Sequence, residues 1–126
     1  RDSGLLHALL DLHTFDQLES HPKLGSSWEG FCIEQILSIT GSSNAYFWAT
    51  HAGAELDLFL LHNGKRIGVE IKYSDGPSTT RSMRQALEDL SLDHLYVVYP
   101  GKEDYPLDKN ITVTSLPSLV SKLGDL

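Results

Sequence analysis

Apolar and polar positions alternate most regularly on either side of Asn63-Gly64. Asn-Gly between two strand-like runs is a strong hairpin signal, because both positions of a type I′ turn need positive φ. The pattern therefore predicts strands over Glu55–His62 and Lys65–Tyr73. A two-residue turn pairs His62 with Lys65, which sets Asp57 opposite Glu70 and Glu55 opposite Lys72. Side chains one residue apart on a strand point to opposite faces. Glu70 and Lys72 then share a face, while Val69, Ile71 and Tyr73 point the other way. On the partner strand Asp57 lies with Glu55 and Phe59, and Leu56, Leu58 and Leu60 cover the other side.

Elsewhere the periodicity is helical or continuous. Leu5–Leu12 carries apolar residues at helical spacing, and Thr14–Glu19 reads as a short helix closed by His21-Pro22. Ser26 or Ser27 can cap a longer helix over 28–39, which Gly41 ends. Ala45–His51 reads as a strand. Pro77 with Thr79 and Thr80 opens a helix through about Leu90, and Leu95–Tyr99 is an apolar run suited to a strand buried on both faces. Residues 101–109 read as a polar loop, Ile111–Thr114 as a strand and Leu116–Leu123 as a last helix. Strand, helix, strand over 65–99 predicts a parallel crossover. The class is α/β, a mixed sheet flanked by helices.

A chain of 126 residues suits one domain. It has 40% hydrophobic and 21% charged residues, an ordinary globular balance. No stretch approaches the roughly 20 apolar residues of a membrane span, and the start has no basic region followed by a hydrophobic block. Lacking an initiator Met, it reads as cut from a longer polypeptide. A single cysteine, Cys32, makes no internal disulfide, which fits a cytoplasmic setting; between Phe31 and Ile33 it reads as a buried thiol. The net charge of −7 argues against indiscriminate adhesion to nucleic acid. Yet residues 62–84 hold Lys65, Arg66, Lys72, Arg81 and Arg84 against only Glu70 and Asp75.

Two carboxylates facing each other across a hairpin repel, and a divalent cation supplies a reason to keep them there. Mg²⁺ is held by one or two carboxylates plus waters and phosphate oxygens. Lys72, on the face of Glu70, can hold an attacking water or neutralise charge on phosphoryl oxygens. Arg81, Arg84 and Lys65 are candidates for neighbouring phosphates, a role that does not specify sequence. On the long helix, Gly30, Glu34 and Ser38 form a narrow polar stripe that adds Glu34 as a candidate, although periodicity alone turns this stripe to water. The bland alternative is an ion-pair ladder of Glu55 with Lys72 and of Asp57 with Arg66 or Lys65. The six histidines show no zinc-ligand spacing, the serines lie in no nucleophile elbow, and no phosphate-loop motif occurs.

Asp57, Glu70-Ile71-Lys72 and the upstream Glu34 resemble the PD-(D/E)XK nuclease superfamily, most of all archaeal Holliday-junction resolvases. Arg1-Asp2-Ser3-Gly4-Leu5-Leu6, Leu24-Gly25-Ser26-Ser27-Trp28-Glu29-Gly30-Phe31 and Gly53-Ala54-Glu55-Leu56-Asp57 are closer still to another branch. They resemble a domain of unknown function found C-terminal to the ATPase module of bacterial and archaeal AAA-family ATPases. The resemblance implies a restriction-endonuclease-like fold over residues 1–126 and a catalytic set of Asp57, Glu70, Lys72 and Glu34. It implies Mg²⁺ or Mn²⁺ on Asp57, Glu70 and Glu34, a nucleic-acid substrate, and an attached N-terminal ATPase module. Two departures stand out: Leu56 replaces the superfamily's proline, and Asp89 replaces the tyrosine of a Gln-x-x-x-Tyr pattern begun by Gln85. The alternative is a catalytically silent module that binds, assembles or regulates that ATPase.

Overall fold

A computed structural model describes residues 10–11, 27–74 and 76–125. The predicted helix over Thr14–Glu19 lies outside them. So does the predicted helix over Leu5–Leu12, except for Leu10 and Asp11, which form strand β1 (Leu10–Asp11) paired with Phe47 and Tyr46. There follow α1 (Ser27–Thr40), β2 (Ala45–Ala49), β3 (Glu55–His62), β4 (Lys65–Ile71), α2 (Arg81–Asp89), β5 (His94–Val98), β6 (Tyr105–Asp108), β7 (Ile111–Thr114) and α3 (Leu116–Asp125). One mixed sheet runs β1-β2-β3-β4-β5-β7-β6, antiparallel from β1 to β4 and parallel from β4 through β5 to β7. The predicted crossover is present, and the class is α/β.

Local chemistry accounts for the boundaries. Asn63 and Gly64 adopt φ of 51° and 78°, the conformation an Asn-Gly hairpin turn requires. The predicted register holds from His62↔Lys65 to Leu58↔Val69. Gly41 ends α1 at φ 80°, its N–H donating to the carbonyl of Leu37. The hydroxyl of Thr80 caps α2 by accepting from the N–H of Met83.

The sheet separates two apolar layers. On one face Cys32, Ile33 and Ile36 of α1 and Leu119 and Leu123 of α3 pack against Leu58, Leu60, Val69, Ile71 and Val98. On the other, Met83 and Ala86 of α2, with Leu90 just beyond it, pack against Trp48, Leu56, Phe59, Leu95 and Val97. Residues of β5 enter both layers, as its continuous apolar run predicts. Gly68 belongs to the α2 side, where a Cβ would lie 2.7 Å from Leu92 Cδ1.

Three expectations need correction. Residues 105–108, within the expected polar loop over 101–109, form a strand; β6 is an edge strand, where the missing N–H of Pro106 is tolerated. Phe31 and Ile39, part of an apolar set that covers more than half of the α1 circumference in the sequence, stay 51% and 41% exposed. Leu56 does not share a face with Leu58 and Leu60. The register between β2 and β3 moves from Tyr46↔Phe59 to Trp48↔Leu56, so β3 carries one extra residue there. This bulge, Asp57-Leu58 opposite Phe47, brings Leu56 and Phe59 into the same layer.

Candidate functional site

Asp57 sits in the bulge, where the β3–β4 ladder gives way. Its carboxylate Oδ2 accepts from the N–H of Ile71 at 2.8 Å, and its own N–H donates to Glu70 Oε1 at 3.3 Å. Two backbone N–H groups at this end of the hairpin therefore donate to carboxylates rather than to cross-strand carbonyls. The ammonium of Lys72 lies 3.3 Å from Glu70 Oε2. Asp57 and Glu70 are only 4% and 8% exposed, whereas the Lys72 side chain is 40% exposed. Buried acids are costly unless their oxygens are partnered. The fold meets that cost with these N–H donors and with the Lys72 ammonium, whose far side faces solvent.

The strands supply this arrangement locally. Lys72 directly follows β4, where its N–H donates to the carbonyl of Val98 at 2.8 Å. That bond anchors the lysine's backbone to the central strand β5. Tyr73 turns to the α1 side and packs edge-on against Trp28, ring centroids 5.3 Å apart.

The other expected residues are not gathered here. Glu34 lies on the exposed face of α1. Among the described residues, no group of three or more His, Cys, Asp or Glu side chains is placed to hold a metal ion. Asp57, Glu70 and Lys72 thus form a pair of acids and a lysine, without Glu34 as a third carboxylate. Lys65 stands at the hairpin turn, about 17 Å along β4 from Glu70 at some 3.4 Å per residue. Arg84 pairs with Asp108 at 2.9 Å and donates to Thr79 Oγ1. Arg66, counted in the basic zone, stacks over Phe59 and donates through Nε to the carbonyl of Leu90 at 2.6 Å. The basic zone of the sequence therefore disperses: Arg66 and Arg84 hold parts of the fold together, and Lys65 is remote.

Arg81 does face an opening. A cleft of about 460 Å³ lies between the β2–β3 turn (Thr50 and Ala52–Ala54) and the α2 face bearing Arg81, Ser82, Gln85 and Asp89. Neither Asp57 nor Glu70 lines it. The N–H of Glu55 reaches Ser82 Oγ at 3.4 Å, tying the start of β3 to α2. Linear spacing singles out Gln85 but not the cleft, whose walls come from segments about 30 residues apart. Cys32 is fully buried, and burial, with a smaller contribution from the Glu29 charge, pushes its thiol up to about 12. It is a packed side chain and no nucleophile.

Fold and site together define an α/β domain with a carboxylate–carboxylate–lysine constellation at a bulged hairpin end. The family described as "Domain of unknown function (DUF4143)" matches residues 24–119, and the chain belongs to that family. It is 47% identical over 118 residues to the uncharacterized protein Mb2031c of Mycobacterium bovis, and equally to the uncharacterized protein Rv2008c of Mycobacterium tuberculosis. The match covers 94% of this chain and 26% of each relative, so the chain spans about a quarter of their length. Among the described residues no helix is long and apolar enough to cross a membrane.

Proposed function

We propose that this domain is a PD-(D/E)XK-like phosphodiesterase acting on nucleic acid, with Asp57 and Glu70 as the ligands of a Mg²⁺ or Mn²⁺ ion. The observation that carries this reading is the placement of two buried acids and an ammonium at the bulged end of one hairpin. A fold gains nothing by burying two like charges side by side. The donor set fits a hard cation: both ligands are carboxylates, and Mg²⁺ commonly takes only one or two from protein. An N–H bonded to one oxygen orients a carboxylate without removing its capacity to coordinate.

When bound, such an ion orients a phosphate and acidifies a water. The chain's own residues supply the rest. Asp57 and Glu70 hold their carboxylates in fixed positions through the N–H groups of Ile71 and Asp57. Lys72 carries three donors on its ammonium. One engages Glu70, and the exposed side can donate to an attacking water or to phosphoryl oxygens as negative charge develops there. Arg81 supports an adjacent phosphate without reading sequence.

The relatives are about four times longer, and we propose that this domain likewise belongs to a larger protein that also carries an ATPase module. The test is cleavage of branched, nicked and single-stranded DNA and of RNA with Mg²⁺ or Mn²⁺, comparing the chain with its Asp57→Ala and Lys72→Ala variants. Cleavage by the unaltered chain alone is expected. Equal background in all three would remove the catalytic reading.

A further inference from the structure

Apart from Arg81, the residues of the cleft at α2 have no part in the chemistry above, yet its walls are chemically uneven. Its volume of about 460 Å³ falls in the ~300–1,000 Å³ range of ligand sites. The exposed guanidinium-bearing Arg81 stands at one end of α2 and Asp89 at the other, about 12 Å apart at 1.5 Å per residue. Between them, Gln85 Nε2 donates to Asp89 Oδ1 at 2.9 Å. That bond orients the carboxamide and the carboxylate together. A carboxamide has a second N–H and an acceptor oxygen, and a carboxylate has a second oxygen. One end of the cleft thus suits an anion, and the other presents acceptors for a planar group with an exocyclic amine. The opposite wall is firm: the N–H of Ala54 donates to Thr50 Oγ1, and Gly53 turns at φ 99°.

We infer that this cleft binds one nucleotide, with phosphate on Arg81 and an amino-bearing base on Gln85 and Asp89. Side-chain amides pair with adenine and acidic side chains accept from the cytosine amine, whereas uracil and thymine offer no exocyclic amine. The nucleotide is either free in solution or part of a strand. Ala54, just before β3, lies three residues ahead of Asp57, about 10 Å along the extended chain. That spacing lets one strand reach both the cleft and the acid pair. The strand source rests on the phosphodiesterase reading; the free source does not.

The experiment follows backbone amides of Ala52–Ala54 and Arg81–Asp89 by NMR in EDTA, which removes any dependence on cleavage. Titrants are AMP, CMP, UMP, inorganic phosphate and a short single-stranded oligonucleotide. AMP and CMP should shift these amides and bind at least about fivefold tighter than UMP, the low end of base discrimination by a paired contact. Arg81→Gln should weaken all phosphate-bearing ligands. Asp89→Asn, and independently Gln85→Leu, should erase the preference over UMP, while Asp57→Ala leaves it intact. Binding by the oligonucleotide alone, with the same response to the variants, assigns the strand as the source. The inference is overturned if no titrant moves these amides, if phosphate alone binds as well as AMP, or if Arg81→Gln and Asp89→Asn bind like the unaltered chain. Loss of nuclease activity in Asp57→Ala with intact nucleotide binding separates the two readings.

Discussion

Asp57 and Glu70 hold each other in place: the N–H of Asp57 donates to the Glu70 carboxylate, while the Asp57 carboxylate accepts from Ile71, the residue after Glu70. Each acid orients the other through backbone groups that an uninterrupted ladder would have used. The β3 bulge makes this reciprocity available by setting an extra residue opposite Phe47.

That arrangement predicts a metal-dependent stability. Asp57→Asn keeps an oxygen for the Ile71 N–H and removes one of two neighbouring charges, so its unfolding midpoint in EDTA should equal or exceed that of the unaltered chain. With Mg²⁺ at a hundredfold excess over Kd, the unaltered chain should gain about 2.7 kcal/mol and Asp57→Asn far less. Denaturant titrations with and without Mg²⁺ check this; equal responses would argue against Asp57 as a ligand.

Lys72 is half exposed and packs into neither apolar layer. Lys72→Ala should therefore keep its fold, with some loss of stability from the acids it leaves without their ammonium, and lower the single-turnover cleavage rate by about 10²–10³-fold, the usual loss when a transition-state donor is removed. A rate within threefold of the unaltered chain would place the lysine outside the chemistry.

For Glu34 the expectation is nearly the opposite. It stands on the solvent face of α1, so Glu34→Gln should leave Mn²⁺ affinity within about twofold. Calorimetric titration of Mn²⁺ into both proteins decides it. A tenfold loss would return Glu34 to the ligand set that family resemblance implies.

Gly101 is sterically constrained. A Cβ there would come within 2.7 Å of the Tyr99 hydroxyl and closer still to its ring. The ring has little room to move, since its hydroxyl donates to the carbonyl of Glu103 at 2.7 Å and accepts from that residue's N–H at 3.0 Å. Gly101→Ala should cost about 1–3 kcal/mol by overpacking. Adding Tyr99→Leu should recover part of that loss, and chemical denaturation of single and double variants measures it.

Asp104 predicts an acid limit. Burial raises its pKa, but bonds from Lys122, Ser118 and Thr114 and the Lys122 charge outweigh it and hold the carboxyl at about 2, down from 3.8. A carboxyl depressed in the folded state stabilises above its unfolded pKa, and that contribution disappears as pH falls through the folded value. Melting temperatures should therefore drop between about pH 4 and pH 2, and Asp104→Asn should flatten this window. Added salt should blunt the effect, because the pair is part-exposed.

Much of the architecture was legible because it depends on near neighbours. Positive φ at Asn63-Gly64 is a local demand, and with alternation it determined both hairpin strands, five paired positions and the common face of Glu70 and Lys72. The strand-helix-strand order sufficed for the parallel crossover, and Thr80 marked the start of α2. Tertiary structure alone decided the rest. The bulge at Asp57 depends on how β2 pairs, so Leu56 changed layers without any signal in its own strand. Pro106 became acceptable because β6 falls at an edge. Arg66 and Arg84 were drawn to Phe59, Leu90 and Asp108 by contacts 7 to 24 residues away in sequence, which dispersed a cluster that linear spacing had suggested. Glu34 stayed on the solvent face because α1 buries Cys32, Ile33 and Ile36 against the sheet. Local dihedral preference and side-chain period can be read from a chain; the partner of each face is settled only when separate segments compete to bury it.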